Sequence, residues 1–201
     1  ASTGKGASTP RKVLVTLQFG FSILLIIGTI VIYQQIQLVK GRELGYEQEN
    51  LIAVSYNNEV RKNYRPIKLE LLNTGVVESV TRANSEITDI NSNNFLGWPG
   101  KPEELRVIFT TIVTEYDYAK TMGIKVLEGR DVSEEFKSDS LAILVNKAGI
   151  EVMGLKENVI GTELDLWGQK RKLIGVVDDV LMGSPYQPVK PMFMVLQDWG
   201  G

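Results

Sequence analysis

The sequence predicts an α+β domain preceded by one transmembrane helix. Residues 13–33 form an uncharged and mostly apolar run, and after it short β-prone segments alternate with short helical patterns that end at glycines. At about 1.5 Å per residue, a helix of that length spans the roughly 30 Å hydrocarbon layer of a membrane. The chain of 201 residues therefore has room for one membrane helix and one outer domain of ordinary size.

Composition excludes several classes of function. Residues 1–40 hold four of the 22 basic side chains and none of the 24 acidic ones, so residues 41–201 carry 18 basic against 24 acidic side chains. Because nucleic-acid binding needs a concentrated basic surface, no nucleic-acid partner is expected. The chain has no cysteine and no histidine. That excludes disulfides, thiolate or imidazole metal sites and any catalytic triad that uses either residue, and no cofactor is expected.

The apolar run is predicted to be a retained membrane helix in contact with lipid. A cleaved signal peptide is the alternative, but its apolar region is usually only about 7–15 residues long, and the following YQQIQL has no small-residue cleavage pattern. Three basic residues precede the run, and Lys40 and Arg42 follow it. The positive-inside rule then predicts a cytoplasmic segment over residues 1–12 and places the residues after about 34 outside the cytoplasm.

Three polar residues interrupt the membrane helix on one side. At about 100° per residue, Ser22 lies some 40° round from Gln18, and Thr29 returns to within about 20° of Ser22. We expect Gln18, Ser22 and Thr29 to pack against other membrane helices, where amide and hydroxyl groups find partners more readily than in lipid. The alternative is a lone anchor whose hydroxyls bond to carbonyls of its own helix.

The helix is predicted to continue as a stalk over residues 34–45. Ile36 and Val39 extend the helical apolar spacing among glutamines, and Gly45 can adopt the left-handed conformation that ends a helix. A rigid stalk would transmit movement between the membrane helix and the outer domain. The alternative is a spacer that only lifts the domain clear of the lipid headgroups.

The outer domain, residues 46–201, is predicted to begin with a β-α-β unit. Apolar runs at 51–56 and 76–83 predict strands, with a helix between them that closes at Gly75. Residues 84–106 are rich in Asn, Ser, Gly and Pro, which predicts a looped insertion with Trp98 packed on a small core of its own. A long strand, covered on both faces, should follow at 106–116.

The second half of the outer domain shows clearer boundaries. Asp117 is predicted to cap a short helix, and residues 140–146 form a buried strand whose last residue, Asn146, caps the next helix. Alternating residues on either side of Trp167 and Gly168 predict a hairpin. The segment MFMVL predicts a final strand.

No catalytic residue is predicted. GKGAST and GWPGKP lack the glycine spacing and the preceding strand of a phosphate-binding loop. Asp178 and Asp179 are the nearest approach to paired carboxylates, and because neighbours in a strand point to opposite faces, they are predicted to serve in a turn or cap. Ser184 lacks both the GxSxG elbow and a histidine to activate it.

Three motifs in order resemble a known family. The stretch from STPRKVLVTLQFGFSILLIIGTI to GRELGY, then ILVNKAGIEVMGL, then IGVVDDVLMGSPYQPVKP resemble an FtsX/MacB-like ABC transporter permease of the Bacteroidetes type. The resemblance implies a MacB-like periplasmic core domain, with a β-α-β-containing subdomain and an inserted β-rich subdomain within about 84–140. Because the chain starts with Ala1, it is expected to be an interior fragment.

The resemblance also implies a function and partners. The chain would be the permease subunit of an ABC transporter in the bacterial cytoplasmic (inner) membrane, with the remaining permease helices and a cytoplasmic ABC ATPase subunit as partners in an oligomeric complex. ATP hydrolysis by the partner would move the periplasmic domain to export or extract a substrate. The alternative is an extracytoplasmic sensor domain of a membrane signalling receptor. An anchored enzyme is disfavoured by the missing His and Cys.

Overall fold

The structure, a computed structural model, describes residues 8–41, 43–90, 92–183 and 187–196. It divides into two compact units, residues 1–42 and 43–201. The predicted subdivision into cytoplasmic segment, membrane helix, stalk and periplasmic domain stays a prediction, since the division at residue 42 separates only the helix from the outer domain.

The first unit is one helix, α1, over Ser8–Lys40. Within Pro10–Leu38, the most apolar stretch of 18 residues has a mean hydropathy of 2.3, and none of that stretch is buried. By length and composition this helix could cross a membrane. It ends at Lys40, so Gly45 does not cap it as predicted, although Gly45 does have a positive φ of 76°.

The second unit is a seven-stranded mixed sheet with short helices, which confirms the predicted α+β class. The sheet order is β1-β2-β7-β4-β6-β3, and β5 pairs with β6. Strands β4 and β6 are parallel, as are β2 and β7, whereas β7 runs antiparallel to β4. In chain order the strands are β1 Asn93–Phe95, β2 Ile108–Thr114, β3 Val126–Gly129, β4 Ala142–Asn146, β5 Glu163–Leu166, β6 Gln169–Val177 and β7 Met192–Leu196.

The sheet carries a hydrophobic core on each face. Along β4 all five residues are buried, and Leu144 packs into one cluster while Ile143 and Val145 pack into the other. Such a strand has no polar face, which is why AILVN is continuously apolar up to its last residue. The prediction that Trp98 packs on a small core of its own is wrong. Trp98 packs against Phe109 in the second of the two clusters that cover the sheet.

Helices in the second unit are short and mostly begin or end at the expected signals. They are α2 Asn58–Lys62, α3 Tyr64–Asn73, α4 Tyr118–Thr121 and α5 Lys147–Met153, with a 3₁₀ turn at Lys137–Leu141. The Asn146 side chain caps α5, and the helix stops at Gly154 with a φ of 69°, as predicted. Asp117 precedes α4 but makes no capping bond with its side chain, because its own backbone is left-handed, so that prediction is wrong.

The β-α-β unit predicted at 51–83 is not formed. Residues 51–56 and 76–82 have no strand pairing, and only Ala83 makes an isolated bridge, to Thr114. The β-α-β arrangement occurs later, where β4 continues through α5 to the parallel strand β6. The strands within 84–140 pair with that same sheet and form no layer of their own. The predicted hairpin is confirmed, with β5 and β6 joined by Trp167 and Gly168, both at positive φ.

Candidate functional site

The side chain of Asn146, at the end of β4, is fully buried and makes four hydrogen bonds. Its Nδ2 donates to the Asp179 Oδ1 at 2.9 Å and to the Lys190 carbonyl at 3.0 Å. Its Oδ1 accepts from the backbone N–H of Gly149 at 3.0 Å and of Met192 at 2.8 Å. An amide side chain has two donors and two acceptor positions, so all of its capacity is used. Three segments of the chain are thereby tied to the end of β4: the start of α5, the segment after β6 and the start of β7.

Asp179 is the second centre of this network. It follows β6, and its Oδ1 accepts from the Ala148 backbone N–H at 2.9 Å as well as from Asn146. The carboxylate therefore satisfies a free donor in the first turn of α5. Its neighbour Asp178 accepts from the Asp179 backbone N–H at 2.9 Å. The predicted turn or cap role of this pair is confirmed, and both carboxylates are occupied with backbone and amide donors.

The main chain of Asp179 meets the segment that enters the second unit. The Leu181 N–H donates to the Leu44 carbonyl at 2.9 Å. Gly45 approaches so closely that a Cβ there would lie 2.0 Å from the Asp179 carbonyl oxygen. A side chain at this position would clash with backbone, and the positive φ of Gly45 adds strain for any other residue. Only glycine fits this contact.

The entering segment is held from a second side by the turn after α4. The Glu47 N–H donates to the Met122 carbonyl at 2.9 Å, and the Glu47 side chain lies against Gly123. Between these two contacts, Tyr46 packs on the first core cluster. We call this arrangement the junction, and it comprises residues 44–47, 122–123, 146 and 179–181. Nothing in the sequence signals the contact between Leu44 and Leu181, because it joins segments more than a hundred residues apart.

A second polar cluster fixes α3 to the end of β2. The buried Tyr64 hydroxyl donates to Glu115, and the Arg82 guanidinium lies 4.2 Å from the centre of the Tyr64 ring. Lys68 Nζ is 3.4 Å from the Glu115 carboxylate. Burial, and then the hydrogen bond to Glu115, raises the pKa of the Tyr64 phenol well above its usual value. The phenol therefore stays protonated, and the cluster acts as an anchor.

Groups suited to hold a metal do not converge in the part of the chain that the structure describes, where no three His, Cys, Asp or Glu residues come together. The Asp179 carboxylate of the junction already accepts hydrogen bonds from Asn146 and from the Ala148 backbone. What the junction does offer is mechanical: backbone hydrogen bonds join Leu44 to Leu181, in the segment after β6, and Glu47 to Met122, at the end of α4.

The predicted polar stripe lies on α1. The Ser22 and Thr29 hydroxyls donate to the carbonyls of Gln18 and Leu25, at 2.9 and 2.8 Å. The side chains of Gln18, Ser22 and Thr29 are exposed, so their packing against other helices stays a prediction. Ile36 is also exposed on α1. Val39 lies in the helix, but its side chain is outside the described part of the chain.

No protein-family model and no curated protein matches this chain. Solved structures do resemble it. The periplasmic region of MacB from Actinobacillus actinomycetemcomitans is 20% identical, with a TM-score of 0.43 over 64% of this chain and 54% of that one. A domain assigned to a permease protein from Porphyromonas gingivalis is 15% identical, with a TM-score of 0.40 over 59% of this chain and 50% of that one.

A third similar structure is the extracellular domain of the noncanonic ABC-type transporter YknZ from Gram-positive bacteria. It is 16% identical, with a TM-score of 0.41 over 64% of this chain and 61% of that one. The chain thus spans between half and two thirds of the length of these structures. The first of these structures is a MacB periplasmic region, the kind of domain that the sequence resembles, and similarity at this level says nothing of substrates or partners.

The network predicts a specific effect for Asn146→Asp. The new side chain keeps its shape but cannot donate to Asp179 or Lys190, and it places a second carboxylate beside the first. We expect a loss of about 2–4 kcal/mol of unfolding free energy at neutral pH, seen as a lower thermal midpoint in circular dichroism. Lowering the pH should reduce the deficit, because a proton bound between two carboxylates in the folded state stabilises that state.

Asn158→Asp is the matched control for this experiment. Asn158 is exposed and, like aspartate, tolerates the left-handed backbone it adopts. It should change stability by less than about 0.5 kcal/mol. Equal midpoints for the two variants would contradict the assigned role of Asn146.

Proposed function

We propose that this chain is part of the permease subunit of an ABC transporter. In this proposal α1 is a transmembrane helix of the bacterial inner membrane, and residues after about 34 lie in the periplasm. A partner ATPase in the cytoplasm hydrolyses ATP, and the resulting movement reaches the periplasmic domain, which exports or extracts a substrate. The chain itself is not an enzyme.

The junction is the observation that carries this proposal. Backbone hydrogen bonds at Leu44 and Glu47 hold the segment on two sides, only a few residues after the end of α1 at Lys40. Most loops that join a helix to a domain run over the surface and are mobile. Here the first residues of the domain are bound to Leu181, in the segment after β6, and to Met122, at the end of α4, while Gly45 packs against the Asp179 carbonyl. A displacement of this segment must therefore displace those residues or break those contacts.

The membrane helix and the motif resemblance support the same proposal. The most apolar stretch of α1 has no burial within the chain, so it needs either lipid or other helices around it. The remaining permease helices would supply such contacts for Gln18, Ser22 and Thr29. The sequence contains no phosphate-binding loop, which supports ATP hydrolysis by a separate subunit in an oligomeric complex.

Association with an ATPase tests the proposal directly. The full-length membrane protein, extracted in a mild detergent, is expected to copurify with a protein that carries a phosphate-binding loop and hydrolyses ATP. The hydropathy of the full-length sequence is the control, and three further spans after residue 201 are expected. Copurification of no ATPase, together with one further span followed by a kinase-like region, would favour the sensor alternative and overturn the permease proposal.

Gly45→Ala is expected to weaken the coupling through the junction, because its Cβ would lie 2.0 Å from the Asp179 carbonyl oxygen. The readout is the ATP-dependent fluorescence change of a label on a cysteine introduced at exposed Lys156, in the permease reconstituted with its ATPase. This chain has no native cysteine to compete for the label. We expect the amplitude of the change to fall by at least about half.

Gly75→Ala is the matched control, since Gly75 has a similar φ of 70° but no atom within 4 Å of a Cβ. The two variants carry the same backbone strain, of about 1–2 kcal/mol. The difference between them is that only the new Cβ of Gly45→Ala clashes with the Asp179 carbonyl oxygen. Equal amplitudes in the two variants would show that the junction does not transmit movement.

The polar stripe gives a separate test in the membrane. Gln18→Leu should impair assembly or activity more than Ile27→Leu, because it removes the amide that is proposed to bond to a neighbouring helix. Assembly is measured as the yield of the complex with its ATPase after size-exclusion chromatography. If both variants assemble like the wild type, the stripe faces lipid.

A further inference from the structure

We propose that the cavity beside the start of β6 binds an anionic group of the phosphate or carboxylate class. The cavity has a volume of about 370 Å³. It lies at the opposite end of β6 from the junction. The residues that line it come from the 3₁₀ turn, from the start of β5 and from β6: Ser138, Leu141, Gly161, Glu163, Lys170, Arg171 and Lys172.

Arg171 is the main reason for this proposal. It is only 7% exposed, and its Nε is buried with no hydrogen-bond partner in the described part of the chain. Its Nη1 makes one long bond of 3.3 Å, to the Ser140 carbonyl. No carboxylate in the described residues lies within ion-pair distance of it. A buried cation without a counter-charge is strongly unfavourable.

Arg130, whose side chain is 38% exposed, shows what satisfied arginine pairing looks like. Arg130 donates to both carboxylate oxygens of Asp139, at 2.5 and 2.7 Å. That hydrogen bond raises the pKa of the Arg130 guanidinium. Burial lowers the pKa of the Arg171 guanidinium instead, because no anion offsets the loss of water. An anion in the cavity would give Arg171 a counter-charge, as Asp139 does for Arg130.

The remaining lining residues give the cavity a positive balance. Glu163 is the one carboxylate among the lining residues, and it is paired with the Lys170 Nζ at 2.9 Å. Among the described residues, no carboxylate lies within ion-pair distance of Arg171 or Lys172. Lys170, Arg171 and Lys172 thus outnumber the single carboxylate of the lining, and a guanidinium fork matches the oxygens of a phosphate or carboxylate. The charge and the donors of the cavity therefore both favour an anion.

The proposal does not depend on the permease function, and its test needs no ATPase. The full chain is placed in nanodiscs of phosphatidylcholine, and the thermal midpoint is followed as inorganic phosphate replaces chloride at constant ionic strength. A ligand that binds only the folded state raises the midpoint in a saturable way. Phosphate also stabilises proteins by exclusion from their surface, so the comparison with variants decides the result.

The variants are Arg171→Met and Lys172→Met, with Lys156→Met as the matched control. Lys156 is exposed and does not line the cavity, so its loss changes the net charge by the same amount. Arg171→Met should fold at least as well as the wild type without phosphate, because a buried unpaired charge is removed. Arg171→Met and the exposed Lys172→Met should each weaken the phosphate response by roughly tenfold or more in concentration. Lys156→Met should respond like the wild type.

The source of the anion is distinguished by lipid composition. If it is a lipid phosphate, nanodiscs containing phosphatidylglycerol should raise the midpoint of the wild type but not of Arg171→Met, and added phosphate should then have little effect. If it is a soluble anion, both kinds of nanodisc should give the same phosphate response. The proposal is overturned if the wild type shows no saturable rise with either source, or if all variants respond like the wild type.

Discussion

The amide of Asn146 is the interaction on which the arrangement of the outer domain depends. It stands at the end of a strand in which every residue is buried, where an unsatisfied donor or acceptor costs about 1–3 kcal/mol. Its four hydrogen bonds join the end of β4, the start of α5, the segment after β6 and the start of β7. Because all four positions of one planar group are used, none of these segments can shift alone. The strands meet at fixed positions for that reason.

Asp179 extends this constraint to the entrance of the domain. Its side chain belongs to the Asn146 network, while its carbonyl faces Gly45. Asp179 thus makes two kinds of interaction. Its side chain accepts a charge-assisted hydrogen bond from Asn146, and its carbonyl group leaves no room for a Cβ at Gly45. Arg171 presents the reverse situation at the other end of β6, since it is a buried polar group whose partners are incomplete in the described residues. The polar groups of the first site are satisfied within the chain, whereas the second is the place where we propose that an anion binds.

The sequence predicts those elements whose signals are local. The strand AILVN, the Asn146 cap, the glycine stop at Gly154 and the Trp167–Gly168 hairpin follow from runs, caps and turns a few residues long. The strands predicted at 51–56 and 76–83 are wrong because β propensity does not supply a pairing partner, and Ile52 and Val76 remain more than 80% exposed. The junction and the unpaired Arg171 could not be predicted, since each depends on contacts between distant segments.

The position of β7 has a consequence for how the domain forms. It is the last strand of the sheet in chain order, yet it lies in the middle, between β2 and β4. Until Met192–Leu196 has been synthesised, no strand joins β2 to β4, although the Gly97–Asp165 bridge and the bond from the Trp167 indole to Asn94 link the β1 end to the β5–β6 hairpin. The strands on either side of β7 therefore keep apolar surface exposed until β7 has been synthesised and pairs with β2 and β4. Long-range pairing of this kind slows folding and prolongs the exposure of strand edges. While the protein is being made, the earlier strands are therefore shielded only when the central strand β7 pairs with them or when another molecule covers them.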